Sequence, residues 1–137
     1  MAWETKCNPS LGIIETTLSG NVTGDDLEHA AKKRILLQKE TNTNSILVDL
    51  SGMDNVIAGT LDIFSLPSEL YDSEKASRNT DIALITSNTK QTHGWIRFYE
   101  TACLNRGWSV KTFDQRATAI NWLLESMRKP EQLPYVI

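Results

Sequence analysis

The sequence predicts an α/β domain built on a five-stranded, mostly parallel sheet with four helices. Two kinds of segment support this prediction. Short apolar runs bounded by turn residues, Ile46 to Leu50 and Ile82 to Thr86, are typical of buried parallel strands. Segments with apolar residues three and four positions apart, typical of amphipathic helices, alternate with the strands. Because strands and helices alternate, the connections are expected to be crossovers and the sheet mainly parallel.

The first two strands are expected to form an antiparallel hairpin at one edge of the sheet. Trp3, Thr5 and Cys7 alternate with charged residues, which is the period of a strand with one covered face. Residues 8–12, "NPSLG", contain the Pro and Gly typical of a turn. Residues 13–18 then continue as a β-branched strand.

The first predicted helix begins after a cap at Thr23 and carries acidic residues in its first turn, where the helix dipole favours them. The expected inward stripe is formed by Leu27, Ala30, Ala31, Ile35 and Gln38. This stripe leaves His29 and the basic triplet of residues 32–34 on the solvated face. Residues 42–44 are expected to end the helix.

Three further helices are predicted. The second covers 61–71 and is interrupted by Pro67, the third covers 95–106, and the fourth follows a cap at Asp114. Trp122 falls off the apolar stripe of the fourth helix, which suggests a subunit contact or a membrane-facing surface. Together with an apolar tail from about residue 130, this position predicts a homodimer.

Length and composition predict a single domain over residues 1–137 and argue against several classes of protein. With 14 Lys and Arg against 17 Asp and Glu, the chain has no basic patch for nucleic acid. No apolar run approaches the roughly 20 residues that span a bilayer, and no signal peptide is recognised, so we expect a cytoplasmic location. Cys7 and Cys103, with only two histidines, make no metal-ligand spacing and are interpreted as small buried residues. We expect no cofactor.

The motifs of common catalytic sites are absent from the sequence. There is no phosphate-binding loop, no nucleophile elbow and no zinc-protease motif. Asp49 and Asp54 are the nearest pair of carboxylates, and neither has a His or Cys close by in sequence. The sequence therefore predicts a protein that is not an enzyme, although residues distant in sequence could still converge into a catalytic site.

Three stretches together resemble the SpoIIAA-like proteins, which are related to STAS domains. They are the run "ILVDLSGM" from Ile46, the strand "IALIT" from Ile82, and the ending "VKTFDQRATAINWLLE" from Val110. The order of the elements is similar over nearly the whole chain. The resemblance implies a compact fold in which successive strand and helix units wind as a superhelix.

The run Asp49-Leu50-Ser51-Gly52 is expected to be a turn that follows a buried strand. In phospho-regulated STAS proteins, such a strand is followed by an Asp-Ser-Ser-Gly turn whose serine is phosphorylated at a helix start. Here residues 57–60 read Ile-Ala-Gly-Thr, so the acceptor serine is missing. Only Ser51 and Thr60 remain as regulatory candidates, and the resemblance therefore disfavours a phosphorylation switch.

Ligands of open α/β sheets bind beyond the carboxyl ends of the strands, which directs attention to residues 51–60 and 86–95. The second loop combines polar donors, one positive charge, an imidazole and an indole. Its candidate ligand-binding residues are Ser87, Asn88, Thr89, Lys90, His93 and Trp95. This set suits an amphiphile with an acidic head, although Ser, Asn and Thr are also what an ordinary helix start prefers.

The branch of the family with this ending resembles small-ligand or lipid-associated proteins. We therefore predict a noncatalytic cytoplasmic binding module for a small amphiphilic or lipid-like ligand, or for a membrane surface. The alternative is a regulatory protein-interaction domain of the STAS type that lacks the usual phosphoserine. A cryptic enzyme that uses Lys90 and His93 is the third hypothesis.

Overall fold

The computed structural model describes residues 3–57, 80–86, 97, 99–101, 103–104 and 109–128. The strands are β1 (Trp3–Asn8), β2 (Ile13–Thr23), β3 (Ser45–Ile57), β4 (Asp81–Ile85) and β5 (Ser109–Phe113). The helices are α1 (Gly24–Thr41), α2 (helical at 97, 99–101 and 103–104) and α3 (Arg116–Arg128). The described residues thus contain three helices rather than the expected four. The helix predicted over 61–71 lies outside them.

The five strands form one sheet in the order β1-β2-β3-β4-β5. β1 is antiparallel to β2, and the other three pairs are parallel. This arrangement confirms the predicted mostly parallel sheet with an antiparallel N-terminal edge strand. The hairpin between β1 and β2 closes where the Gly12 N–H donates to the Asn8 carbonyl at 2.9 Å. Gly12 has a φ of +70°, which explains the glycine in this turn.

Side chains that alternate along the strands build one apolar layer on each face of the sheet. On one face the strands pack against α1 and α2, through residues that include Ile14, Ile35, Ile46, Ile82 and Cys103. On the other face they pack against α3, through Ile13, Leu47, Ala83, Ile85, Ala119 and Leu123. Because the central strands are covered on both faces, they read in the sequence as continuous apolar runs.

Helix α1 is capped as predicted. The Thr23 hydroxyl accepts from the Asp26 N–H at 3.1 Å, and the Asp26 carboxylate accepts from the Thr23 N–H at 2.9 Å. Asn42, in the left-handed conformation, ends the helix.

The expectation that the basic triplet of residues 32–34 is solvated was wrong at one position, because Arg34 is only 4% exposed. Arg34 lies one turn before the buried Gln38 and therefore belongs to the inward stripe.

Trp122 does not face outward from α3. It is half-buried, packs against the apolar layer beneath α3, and lies with its ring centroid 5.8 Å from that of Phe113. The contact places Trp122 at the margin of the intramolecular core, so it no longer supports a subunit contact. Among the described residues, no helix is long and apolar enough to cross a membrane.

The largest difference from the sequence prediction is the length of β2 and β3. The predicted strands end at Leu18 and Leu50, but the observed strands continue to Thr23 and Ile57. The two extensions pair with each other in parallel, from Ser19 opposite Gly52 onward. The expected turn at residues 49–52 is therefore wrong, because hydrogen bonding to β2 keeps this segment of β3 extended.

Two bulges in β3 explain why the sequence of its extension resembles that of a turn. From the pair Thr17–Asp49 to the pair Ser19–Gly52, β2 advances two residues and β3 advances three. From Gly20–Met53 to Asn21–Asn55, β2 advances one residue and β3 advances two. Each step inserts one extra residue into β3, and bulges of this kind tolerate the small polar residues that otherwise mark turns.

Substitution of Gly20 and of Gly52 by alanine is expected to change the stability of the protein by different amounts. Gly20 has a φ of +68°, so Gly20→Ala should cost about 1 kcal/mol of unfolding free energy even though nothing lies within 4 Å of the added Cβ. Gly52→Ala is the matched control, because its added Cβ meets the Ser19 Cβ at 3.6 Å, an ordinary contact. It should change stability by less than about 0.5 kcal/mol. Urea unfolding of both variants measures the difference, and equal losses would contradict strain at Gly20.

Candidate functional site

The carboxyl edge of the sheet is uneven, because β3 continues beyond its neighbour β4. The pairing of β3 with β4 ends at Asp49 opposite Ile85. The chain after β4 stays with β5, where the Thr86 N–H donates to the Phe113 carbonyl at 2.9 Å. Residues 51–57 of β3 and 19–23 of β2 thus form a two-stranded projection beyond the end of β4. We call this projection the lip.

A carboxylate and a hydroxyl are joined at the base of the lip. The Asp49 Oδ1 atom accepts two hydrogen bonds from Ser51, one from its N–H at 2.9 Å and one from its hydroxyl at 2.6 Å. The first bulge lies at this position, and a bulge leaves an extra residue without its normal partner in the ladder. Asp49 therefore supplies an acceptor where the strand pairing is interrupted, and it also fixes the direction of the Ser51 hydroxyl.

The lip has an anchored side and a solvent side. Met53 and Val22 of the lip, together with Leu50 just before it, are buried in the apolar layer beneath α1 and α2. Ser51, Gly52 and Asp54 are exposed. The lip is therefore fixed to the core and presents a hydroxyl and a carboxylate to solvent, which suits hydrogen bonding to a partner molecule.

Ser51 is poorly placed for a phosphorylation switch. A phosphoserine carries close to two negative charges at neutral pH, and here the group would replace a hydroxyl that already donates to the Asp49 carboxylate. Like charges so close together repel each other. Ser51 also lies within a strand rather than at a helix start, the position at which free backbone N–H groups stabilise an added phosphate. The other regulatory candidate, Thr60, lies outside the described residues.

The predicted ligand-binding loop also lies outside the described part of the chain. This applies to all six candidates, Ser87, Asn88, Thr89, Lys90, His93 and Trp95. Their role in binding an amphiphile stays a prediction.

Three polar side chains, Arg34, Gln38 and Thr80, are buried on the face of the sheet that carries α1 and α2, and of these only Gln38 was expected to face inward. Gln38 Nε2 donates to the buried Thr80 hydroxyl at 3.1 Å. Arg34 on α1 influences Cys103 on α2 through its charge, and Tyr99 contributes a hydrogen bond to Cys103. The positions of Arg34 and Gln38 on an apolar stripe are the one signal in the sequence, since residues three and four apart on a helix share a face.

The two cysteines differ in environment. Cys103 is fully buried, as predicted, whereas Cys7 is half-exposed because it lies on the edge strand β1. Burial raises the pKa of Cys103 to about 11, although the hydrogen bond from Tyr99 and the charge of Arg34 act in the opposite direction. The Cys103 thiol is therefore protonated at neutral pH and inaccessible, which makes it a poor nucleophile.

On the opposite face, Glu15 of β2 links the hairpin to α3. Its carboxylate accepts from the Arg116 guanidinium at 2.9 and 3.0 Å and from the Asn8 side-chain amide at 2.8 Å. Both contacts come from the single Nη2 atom of Arg116, and this charge-assisted pair links α3 to the sheet. Glu15 and Arg116 are 101 residues apart in sequence, so local patterns carry no sign of the pair.

Asp49 is expected to stabilise the lip mainly as a hydrogen-bond acceptor. Asp49→Ala removes the acceptor for both Ser51 donors and should cost about 1 kcal/mol of unfolding free energy. Asp49→Asn keeps an oxygen at this position and should cost less. In a double-mutant cycle with Ser51→Ala, measured by urea unfolding, we expect positive coupling between the two residues. Equal losses in Asp49→Ala and Asp49→Asn would contradict the acceptor role.

The comparisons with known proteins agree with this architecture. A family model described as SpoIIAA-like matches residues 13–124. The chain is similar to the crystal structure of an uncharacterized protein of the DUF3478 family with a SpoIIAA-like fold from Shewanella loihica PV-4. The TM-score is 0.57 at 15% identity, and the match covers 89% of this chain and 94% of that one.

A second solved structure, that of SLC26A9, is similar over part of its length. The TM-score is 0.53 at 15% identity, and the match covers 88% of this chain and 21% of that chain. No curated protein sequence matches the chain. At this level of identity, both structures support the fold and carry no information on the ligand.

Proposed function

The chain belongs to the SpoIIAA-like family, and we propose that within it this domain is a noncatalytic regulatory module that binds a partner protein through the lip. The observation that carries the proposal is the pair of hydrogen bonds from Ser51 to Asp49 at the base of the lip. They hold exposed polar groups in one arrangement before a partner arrives. Binding to such a surface loses less conformational entropy than binding to a loop that must first become ordered.

The chemistry of the lip supports binding rather than catalysis. A catalytic carboxylate needs a partner that shifts its pKa or takes its proton, and among the described residues the donors that hydrogen-bond to the Asp49 carboxylate are those of Ser51. The buried thiol of Cys103 is protonated at neutral pH and cannot replace such a group. The lip therefore offers recognition by shape, hydrogen bonds and negative charge.

The same geometry supports a surface that is not switched by phosphate at Ser51. Asp49 already places a negative charge beside the hydroxyl, so a second anion there is disfavoured. We infer that regulation comes from the presence or absence of the partner rather than from modification of this serine. The proposed function is thus a STAS-type interaction domain without the usual phosphoserine, the alternative that the sequence left open beside an amphiphile-binding module.

Site-specific photo-crosslinking in the native cells tests the proposed function. A photoreactive residue at Asp54, on the exposed side of the lip, should give a discrete adduct with one partner protein. The matched control carries the same residue at Glu40, which is exposed on the last turn of α1, just before β3 begins and therefore at the opposite edge of the sheet from the lip. The adduct from Asp54 should weaken at least severalfold in Asp49→Ala. No adduct specific to Asp54, or equal adducts from both positions, would rule out the lip as the binding surface.

The amphiphile hypothesis is a second candidate that rests on the sequence of the loop at 87–95. Native mass spectrometry of freshly purified protein tests it, with a co-purifying lipid or organic acid as the expected result. Lys90→Ala should then reduce the bound fraction, because it removes the positive charge that pairs with an acidic head group. Repeated absence of an adduct, together with no association with liposomes, would count against the hypothesis.

A further inference from the structure

Strand β1 lies at the edge of the sheet. Within the described residues it pairs with β2 on one side, and no strand pairs with its other side. Glu4 and Lys6 are exposed and point to the face opposite Thr5, which is buried beneath α1 and bonded to Thr16 at 3.0 Å. Neither charge forms an ion pair with another described residue. An edge strand of this kind is a template for pairing with another strand.

The charges on β1 are self-complementary in one register. When two copies of a strand pair antiparallel about a two-fold axis normal to the sheet, paired residues lie on the same face. The axis must then pass midway between the two copies of one residue of β1. With the axis at Thr5, Glu4 of each copy lies opposite Lys6 of the other. With the axis at Glu4 or at Lys6, identical charges face each other, which is destabilising.

We propose that two copies of this chain pair through β1 in the register centred on Thr5, so that their sheets join into one continuous sheet. Two Glu–Lys contacts then form across the two-fold axis on the face that carries α3. On the other face, Trp3 of one copy lies opposite Cys7 of the second copy. Both residues are half-buried in the single chain, so the pairing covers apolar surface that one copy leaves exposed.

The competing interpretation assigns the opposite role to the same charges. Lysine on an edge strand commonly prevents pairing with other chains. The two interpretations differ in what a reversed charge does, because a residue that blocks pairing has no need of the opposite charge two positions away. Charge reversal with reciprocal rescue therefore distinguishes them.

The test measures the mass of the full chain by analytical ultracentrifugation over a range of concentrations. The unmodified protein should reach twice the 15.4 kDa mass of one chain. Glu4→Lys brings two positive charges face to face at both contacts with Lys6 and should raise the dimer Kd roughly tenfold. The double variant Glu4→Lys/Lys6→Glu restores opposite charges and should return the Kd to within about threefold of the original value.

Mixing the two single variants provides the decisive experiment. Glu4→Lys alone and Lys6→Glu alone each bring like charges together, whereas a mixture pairs lysines with glutamates at both contacts and should form the heterodimer. Lys6→Glu also faces Glu15 of β2 within its own chain, so its folding is checked by circular dichroism. The matched controls are Glu40→Lys and Lys33→Glu, which reverse exposed charges on α1 and should leave the Kd unchanged.

Two outcomes would overturn the proposal. The first is an unmodified protein that stays monomeric at every concentration, which would favour β1 as a blocked edge. The second is a dimer whose Kd does not respond to either reversal, which would place the interface on another surface. Because the lip plays no part in this pairing, failure here leaves the crosslinking test of the proposed function unaffected.

Discussion

The parallel pairing of β2 with β3 is the interaction on which the rest of the structure depends. These are the two longest strands, and they lie between the N-terminal edge strand and the β4–β5 half of the sheet. Ile14 and Ile46 are paired neighbours that support the layer beneath α1 and α2, while Ile13 and Leu47 support the layer beneath α3. A shift of one residue in this pairing would exchange the two faces and expose both layers. The length of the pairing therefore protects the register.

The two bulges show how this long pairing also serves the site. A bulge bends and twists its strand, and here both lie in β3 at and beyond the point where β4 stops. The bulged strand keeps Leu50 and Met53 in the core while it turns Ser51 and Asp54 outward. Asp49 satisfies the interrupted backbone at the first bulge. One carboxylate thus supports both the local fold and the arrangement of the exposed groups that we propose as a binding surface.

Polar contacts orient the helices against the sheet. Glu15 holds Arg116 of α3 on one face, and Gln38 of α1 holds Thr80 just before β4 on the other. Apolar packing alone tolerates small rotations of a helix, whereas a buried polar group is costly unless its partner is in place. The buried contact of Gln38 with Thr80 therefore favours one orientation of α1, while the exposed Arg116 adds a weaker charge-assisted link for α3.

The sequence by itself determined the elements whose signals are local. The hairpin turn at Gly12, the helix cap at Thr23 and the apolar strands around Ile46 and Ile82 all follow from the preferences of nearby residues, and their order predicts the sheet. The family resemblance also follows from short runs of sequence. The candidate site was found only in part, because Ser51 and Asp49 were identified but assigned to a turn.

Tertiary structure alone decided that the residues around Gly20 and Gly52 are extended strands. Serine and glycine favour a turn locally, and only hydrogen bonds between segments about 30 residues apart keep both stretches extended, as in the pair Ser19–Gly52. The same holds for Arg34, since the two residues before it are exposed lysines and its burial follows from the packing of α1 on the sheet. Local preferences amount to fractions of a kcal/mol per residue, so pairing and burial that involve several residues at once outweigh them.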